Sequence, residues 1–145
     1  KTIIMRNFLI ICAIAIGFTA CEKSAGEGGT SVIEGKVIYF EVTFNTSTLQ
    51  NDTHFYPKGG KDVFILYSDN EDSMYDDKFE TDFNGKYHFE YLRKGDYTIY
   101  LNKDTTVITG PNSEYTYDIP VFRHIEVTAN NSTNKAADFI IEKNQ

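Results

Sequence analysis

Thr81-Asp82-Phe83-Asn84-Gly85-Lys86-Tyr87-His88-Phe89-Glu90-Tyr91-Leu92-Arg93-Lys94-Gly95-Asp96-Tyr97 carries the two most readable turns of the chain. Asn84-Gly85 tolerates the positive φ that a tight turn demands, so the flanking runs Lys78 to Thr81 and Lys86 to Tyr91 are predicted to pair antiparallel. Gly95 turns the chain again, and Tyr97 opens the next strand with its hydroxyl directed back at the preceding loop, as in a tyrosine corner. Because strand side chains alternate, Tyr97, Ile99 and Leu101 form one stripe, with Tyr87, Phe89 and Tyr91 as the matching stripe on the neighbouring strand.

Outward from this stretch the same texture continues. From Thr30 on, apolar and aromatic residues recur in short runs broken by Gly, Asn, Asp or Pro, and none keeps a helical period. Strands are predicted near 31–44, 62–68, 78–83, 86–91, 96–102, 115–127 with an interruption at Pro120, and 135–142. The chain has 10 Tyr and 11 Phe and no Trp, so aromatic side chains supply much of the strand signal. The expected fold is all-β: one antiparallel β-sandwich of about seven strands over residues 30–143.

The first twenty-one residues have a different character. Lys1 and Arg6 precede an apolar run from Phe8 to Ala20, too short for the ~20 residues of a spanning helix and ending in small residues before Cys21. This resembles a bacterial lipoprotein signal, which implies cleavage after residue 20, acylation of the Cys21 thiol, and a cell-envelope location on the outer membrane with its face undetermined. An ordinary secretory signal with an incidental cysteine is the alternative. Cys12 lies inside the signal and Cys21 carries the lipid, so no disulfide is expected. Residues 21–29 are glycine-rich with little to bury and read as a flexible tether.

The net charge is −7, and removing residues 1–20 takes away two basic residues and no acidic one, giving −9. No basic cluster exceeds Arg93-Lys94, which argues against nucleic acid as a partner and leaves the covalent lipid as the membrane contact.

Four segments fall into a familiar order: Ile33-Glu34-Gly35-Lys36-Val37, Asp62-Val63-Phe64-Ile65, Thr81 to Phe89, and Leu92-Arg93-Lys94-Gly95-Asp96-Tyr97. Together they resemble the carboxypeptidase regulatory-like, or prealbumin-like, β-sandwich, with a Gly-x-Val opening strand, a Thr-x-x-x-Gly-x-Tyr-x-Phe hairpin and a Leu-x-x-Gly-x-Tyr corner. The resemblance implies an Ig-like topology and a non-catalytic module. Related surface sandwiches join a first-strand lysine to a last-strand Asn or Asp, and Lys36 and Asp138 are the residues at those places.

Chemistry-bearing residues are sparse. His54, His88 and His124 lack partners at metal-ligand spacing, and no nucleophile elbow occurs, so neither a cofactor nor catalysis is expected. Asp69, Asp72, Asp76 and Asp77 crowd one loop, where hard oxygen ligands suit Ca²⁺, with a solvated acidic loop as the plainer reading. Ser73 and Thr105 follow aspartates in a pattern that resembles the O-glycan acceptor of some bacterial envelope proteins. His54, Phe55 and Tyr56, in a long loop from Asn45 to Lys61, and Tyr75 in the acidic loop are candidate ligand contacts, because loop aromatics flanked by acids and amides suit sugars or proteins. The functional expectation is a lipid-anchored sandwich that binds or scaffolds a surface protein or glycan. The alternative is a structural or accessory subunit of a surface assembly such as a pilus-like fibre.

Overall fold

The computed structural model describes residues 24–111 and 113–143. They form nine strands and, among the described residues, no helix: β1 (Glu27–Asn45), β2 (Gln50–Pro57), β3 (Asp62–Leu66), β4 (Asp77–Glu80), β5 (Lys86–Leu92), β6 (Gly95–Gly110), β7 (Ser113–Val127), β8 (Thr133–Lys135) and β9 (Phe139–Glu142). One sheet is built on β1. The other has the order β4-β3-β6-β7. The all-β sandwich expected from the sequence is what forms.

β1 organises the first sheet because it pairs along both edges. β5 takes one edge of its first half and β2 the same edge of its second half, both antiparallel, while β8 and β9 run parallel along the other edge. β5 and β2 meet at Val37, whose N–H donates to Gly85 O at 2.8 Å and whose carbonyl accepts from Lys58 N at 3.0 Å.

Facing side chains of the two sheets make the core. Ile33, Val37, Tyr87, Phe89, Phe139 and Ile141 come from the β1 sheet, and Val63, Ile65, Tyr97, Ile99, Leu101 and Val127 from the other. Each such aliphatic or Phe side chain, fully removed from water, contributes about 1.5–3 kcal/mol before conformational entropy is counted.

The decisive stretch folds differently from its simplest reading. Lys78 to Thr81 and Lys86 to Tyr91 do not pair: β4 joins β3, and β5 joins β1 in the opposite sheet. The Asn-Gly turn is an inter-sheet corner. Asp82 Oδ1 accepts from Asn84 N and Lys86 N at 2.8 Å each, and Gly85, at φ 71°, lies against Val37 where a Cβ would collide with the carbonyl. The stripes of β5 and β6 therefore meet across the core, not side by side. Tyr91 is not part of its stripe: at φ 59° it turns outward, 69% exposed, and Leu92 takes the buried place. β1 bulges opposite, shifting register between Glu27 and Ser31.

Three further expectations change. The segment 45–61, read as a long loop, contains β2, because its residues pair with the second half of β1 from Ile38↔Pro57 to Asn45↔Gln50. Pro120 does not interrupt β7. It pairs with Asn102, and β7 is an edge strand, where a missing N–H is tolerated. The ordered body also begins before residue 30. Gly26 N donates to the Tyr97 hydroxyl at 2.9 Å, Arg93 N donates to Gly26 O at 2.9 Å, and Arg93 Nε donates to Ser24 O at 2.9 Å. These bonds hold residues that composition alone assigns to a tether. Cys21 and the segment 1–20 lie outside the described residues.

Both long hairpins outrun the sandwich. β3 pairs with β6 only from Thr98 to Tyr100, whereas β6 and β7 remain paired to Gly110↔Ser113, so the outer part of that hairpin is a two-stranded ribbon. β9 accompanies β1 only to Phe40, and the β1–β2 hairpin continues alone to Asn45↔Gln50.

Candidate functional site

Alternation decides which aromatics reach the outer faces. In β3, Val63 and Ile65 point into the core and Phe64 outward; in β6, Ile99 and Leu101 point inward and Tyr100 outward. Register places Phe64 opposite Tyr100 and Tyr100 opposite Phe122. Tyr75, from the loop between β3 and β4, adds a fourth ring.

The ring centroids are 4.8 Å apart for Tyr75–Phe64, 4.9 Å for Phe64–Tyr100 and 5.3 Å for Tyr100–Phe122. The inner pair is stacked at an interplanar angle of 20°. Such spacing follows from strands about 4.8 Å apart carrying rings that stand off the sheet. The faces of Phe64 and Tyr100 are therefore taken up by one another, and the row offers faces only at its ends. Tyr75, 46% exposed, is the more open end. Burial raises the pKa of Tyr100 from its ordinary value, with Tyr75 adding to the effect, so the Tyr100 phenol keeps its proton near neutral pH.

A polar cleft of about 380 Å³ adjoins Phe64, with Lys61, Asp62, Asn102 and Asp118 among its lining. Lys78 Nζ lies 3.2 Å from Asp62 Oδ2, and Lys61 Nζ 3.9 Å from Asp104 Oδ1. Lys78–Asp62 is exposed on both sides and Lys61, though mostly covered, faces an exposed Asp104, so these pairs are worth little in stability but leave donors and acceptors beside the rings. Stacked apolar rings bordered by carboxylate, amide and ammonium groups can take up a ligand that has both CH faces and hydroxyl or amide groups.

The acidic loop is held, not loose. Asp76 Oδ2 accepts from Tyr67 N at 2.7 Å, Thr98 Oγ1 donates to Ser68 O at 2.8 Å, and His124, 3.0 Å from Thr98 Oγ1 through Nδ1, reaches Glu71 Oε1 at 2.9 Å through Nε2. This network places Tyr75 against Phe64. Asp69, Asp72, Asp76 and Asp77 do not converge: Asp76 is spent on Tyr67, Asp77 caps Lys78 N at 2.7 Å, and Asp69 lines clefts near Asp96. Among the described residues no three His, Cys, Asp or Glu side chains are grouped to hold a metal ion.

The other candidates separate. His54, Phe55 and Tyr56 stand on β2, where alternation divides them between two faces. Tyr56 packs near Tyr39 at 6.4 Å, and Phe55, 63% exposed, lies 5.9 Å from Phe40 on the outer face. Ser73 is exposed in the acidic loop, while Thr105 is half-buried in the paired β6, opposite Tyr117. Lys36 and Asp138 line one cleft, and both are exposed to water rather than enclosed together in the core. Tyr97 donates to Arg93 O at 2.8 Å, the bond of a tyrosine corner, and Gly95 turns at φ 143°.

Sequence reading missed Phe64, Tyr100 and Phe122 as site residues. The signal was present: once Tyr97, Ile99 and Leu101 face the core, Tyr100 must face out.

The fold and its outer surface define a two-sheet β-sandwich bearing an aromatic row. No family model matches the chain and no curated protein matches its sequence, so the likeness to carboxypeptidase regulatory-like domains rests on motif order. Among solved structures it is similar to a candidate carbohydrate binding protein of Pseudomonas aeruginosa, at 12% identity over 83% of this chain and 92% of that one, with a TM-score of 0.46. A likeness of that depth carries no ligand from one protein to the other.

Proposed function

We propose that this chain is a lipid-anchored envelope protein, attached through Cys21, whose sandwich binds a surface glycan or protein without catalysing a reaction. The observation that carries this reading is the row Tyr75–Phe64–Tyr100–Phe122 on the outer face of a rigid sheet, ended by a half-exposed tyrosine beside a polar cleft. Strands fix the three inner rings, and the hydrogen-bonded acidic loop fixes the fourth, so little ordering entropy opposes binding. Tyr75 is the contact with the most to lose. In glycan-array and envelope pull-down experiments with the full chain, Tyr75→Ala is expected to lower retention by about tenfold, a loss of ~1.4 kcal/mol. Empty results from both experiments with the unsubstituted chain would overturn the proposal. For the anchor, Cys21→Ser is expected to move the protein out of the membrane fraction.

A specific observation favours a second reading, that of an accessory subunit contributing strands to an assembly. β7 is a 15-residue edge strand with exposed Tyr115, Tyr117 and Ile119, and its outer edge is unpaired among the described residues. Oligomers that persist at low concentration would support it, and a strict monomer would exclude it.

A further inference from the structure

The outer face of the β1 sheet holds a second constellation. Lys36 of β1 and Lys86 of β5 are directly paired across the antiparallel ladder, and both side chains are exposed on the same face. Like charges placed opposite one another destabilise a sheet. The acids of the adjoining cleft form no ion pair with either lysine: Glu34 lies 3.9 Å from Lys135, Glu90 lies 3.6 Å from His88, and Asp138 pairs with neither. Among the described residues neither ammonium has an ion-pair or hydrogen-bond partner.

The same two lysines line two clefts and so join them into one groove. A cleft of about 600 Å³ on one side is polar, with Glu34, His88 and Asp138 in its walls. Tyr87 also lines it, and its buried hydroxyl has no hydrogen-bond partner among the described residues. A cleft of about 520 Å³ on the other side is lined by Ile38, Phe55, Tyr56 and Pro57. The groove thus has an open aromatic ring at one end, hydrogen-bonding groups and the carboxylates of Glu34, Glu90 and Asp138 at the other, and two ammonium groups without an ion pair between them, on a chain whose net charge is −7.

We propose that this groove binds an acidic glycan, with a sugar carboxylate seated between Lys36 and Lys86 and an adjacent sugar ring lying against Phe55. The carboxylate replaces the repulsion with two charge-assisted hydrogen bonds. The CH face of the neighbouring sugar covers the 63%-exposed Phe55 ring. This site is separate from the Tyr75 row and rests on different residues and on ligand charge, so either can fail without the other.

Calorimetric titration of the full chain with trigalacturonate, with its neutral galactose counterpart and with inorganic phosphate tests the proposal. The acidic trisaccharide is expected to bind at least about tenfold tighter than the neutral one, and to weaken as salt is raised. Lys86→Glu sets an acid opposite Lys36. It is expected to abolish the preference while keeping the circular dichroism spectrum and raising or holding the melting temperature. Lys36→Gln is expected to weaken binding without changing the fold. Equal affinity for acidic and neutral sugars, or acidic-sugar binding that survives Lys86→Glu, would overturn the assignment. Inorganic phosphate binding as tightly as the trisaccharide would overturn the glycan as its ligand.

Discussion

Two buried tyrosines have opposite hydrogen-bond circumstances. The Tyr97 hydroxyl donates to Arg93 O and accepts from Gly26 N, tying three segments together. The Tyr87 hydroxyl, packed beside Gly35, has no partner among the described residues. Leaving a buried donor unmade costs about 1–3 kcal/mol, whereas removing an unpaired hydroxyl relieves that cost. Tyr97→Phe is therefore expected to destabilise by about 1–3 kcal/mol, and Tyr87→Phe to be neutral or stabilising, both read by urea denaturation. Gly35→Ala is expected to destabilise, because its Cβ would meet the Tyr87 ring as well as the hydroxyl, so Tyr87→Phe will not rescue it. Tyr97 was legible in the sequence because a glycine-turn-tyrosine spacing places the hydroxyl locally. The isolation of Tyr87 was not, since it depends on which residues of β1 and of the segment before β9 pack around it.

At the level of elements, the chain displays its strands and hides their partners. Asn84-Gly85 marks a turn, but nothing in that dipeptide distinguishes a hairpin from a corner between sheets. What decides is that β3 offers a ladder to one flank and β1 to the other. Likewise Gln50 to Pro57 has strand-like alternation weakened by Asn51, Asp52 and His54, and becomes a strand because β1 extends past the sandwich and offers it a ladder. The outer β6–β7 ribbon obtains little from the core: Thr106 and Thr116 share a hydrogen bond at 3.0 Å and Tyr115 stacks on Tyr117, but both pairs are exposed. Replacing residues 106–116 with a two-residue Asn-Gly turn is expected to leave the melting temperature nearly unchanged. Amides in that ribbon are expected to exchange well before those of Ile99 and Leu101. A large loss of stability on truncation would show that the ribbon packs against the body.

For the molecule as a whole, alkaline pH is the telling variable. Burial raises the pKa of Tyr87 and Tyr97, and burial followed by the hydrogen bond with Glu27 raises that of Tyr67. The ordinary value of a tyrosine phenol is 10.0, so above that pH the unfolded chain releases protons that the folded chain retains. This part of the stability is complete below pH 10 and is lost as pH rises toward the folded-state values. Denaturation midpoints are expected to fall above pH 10, with a shallower slope in Tyr87→Phe. Between Cys21 and the Arg93–Tyr97 clamp on Ser24 and Gly26 there are only Glu22 and Lys23. If acyl chains hold Cys21, two residues separate the lipid from the clamped start of the body. β1, 19 residues long at about 3.3 Å each, then carries its hairpin tip up to roughly 60 Å from its anchored end.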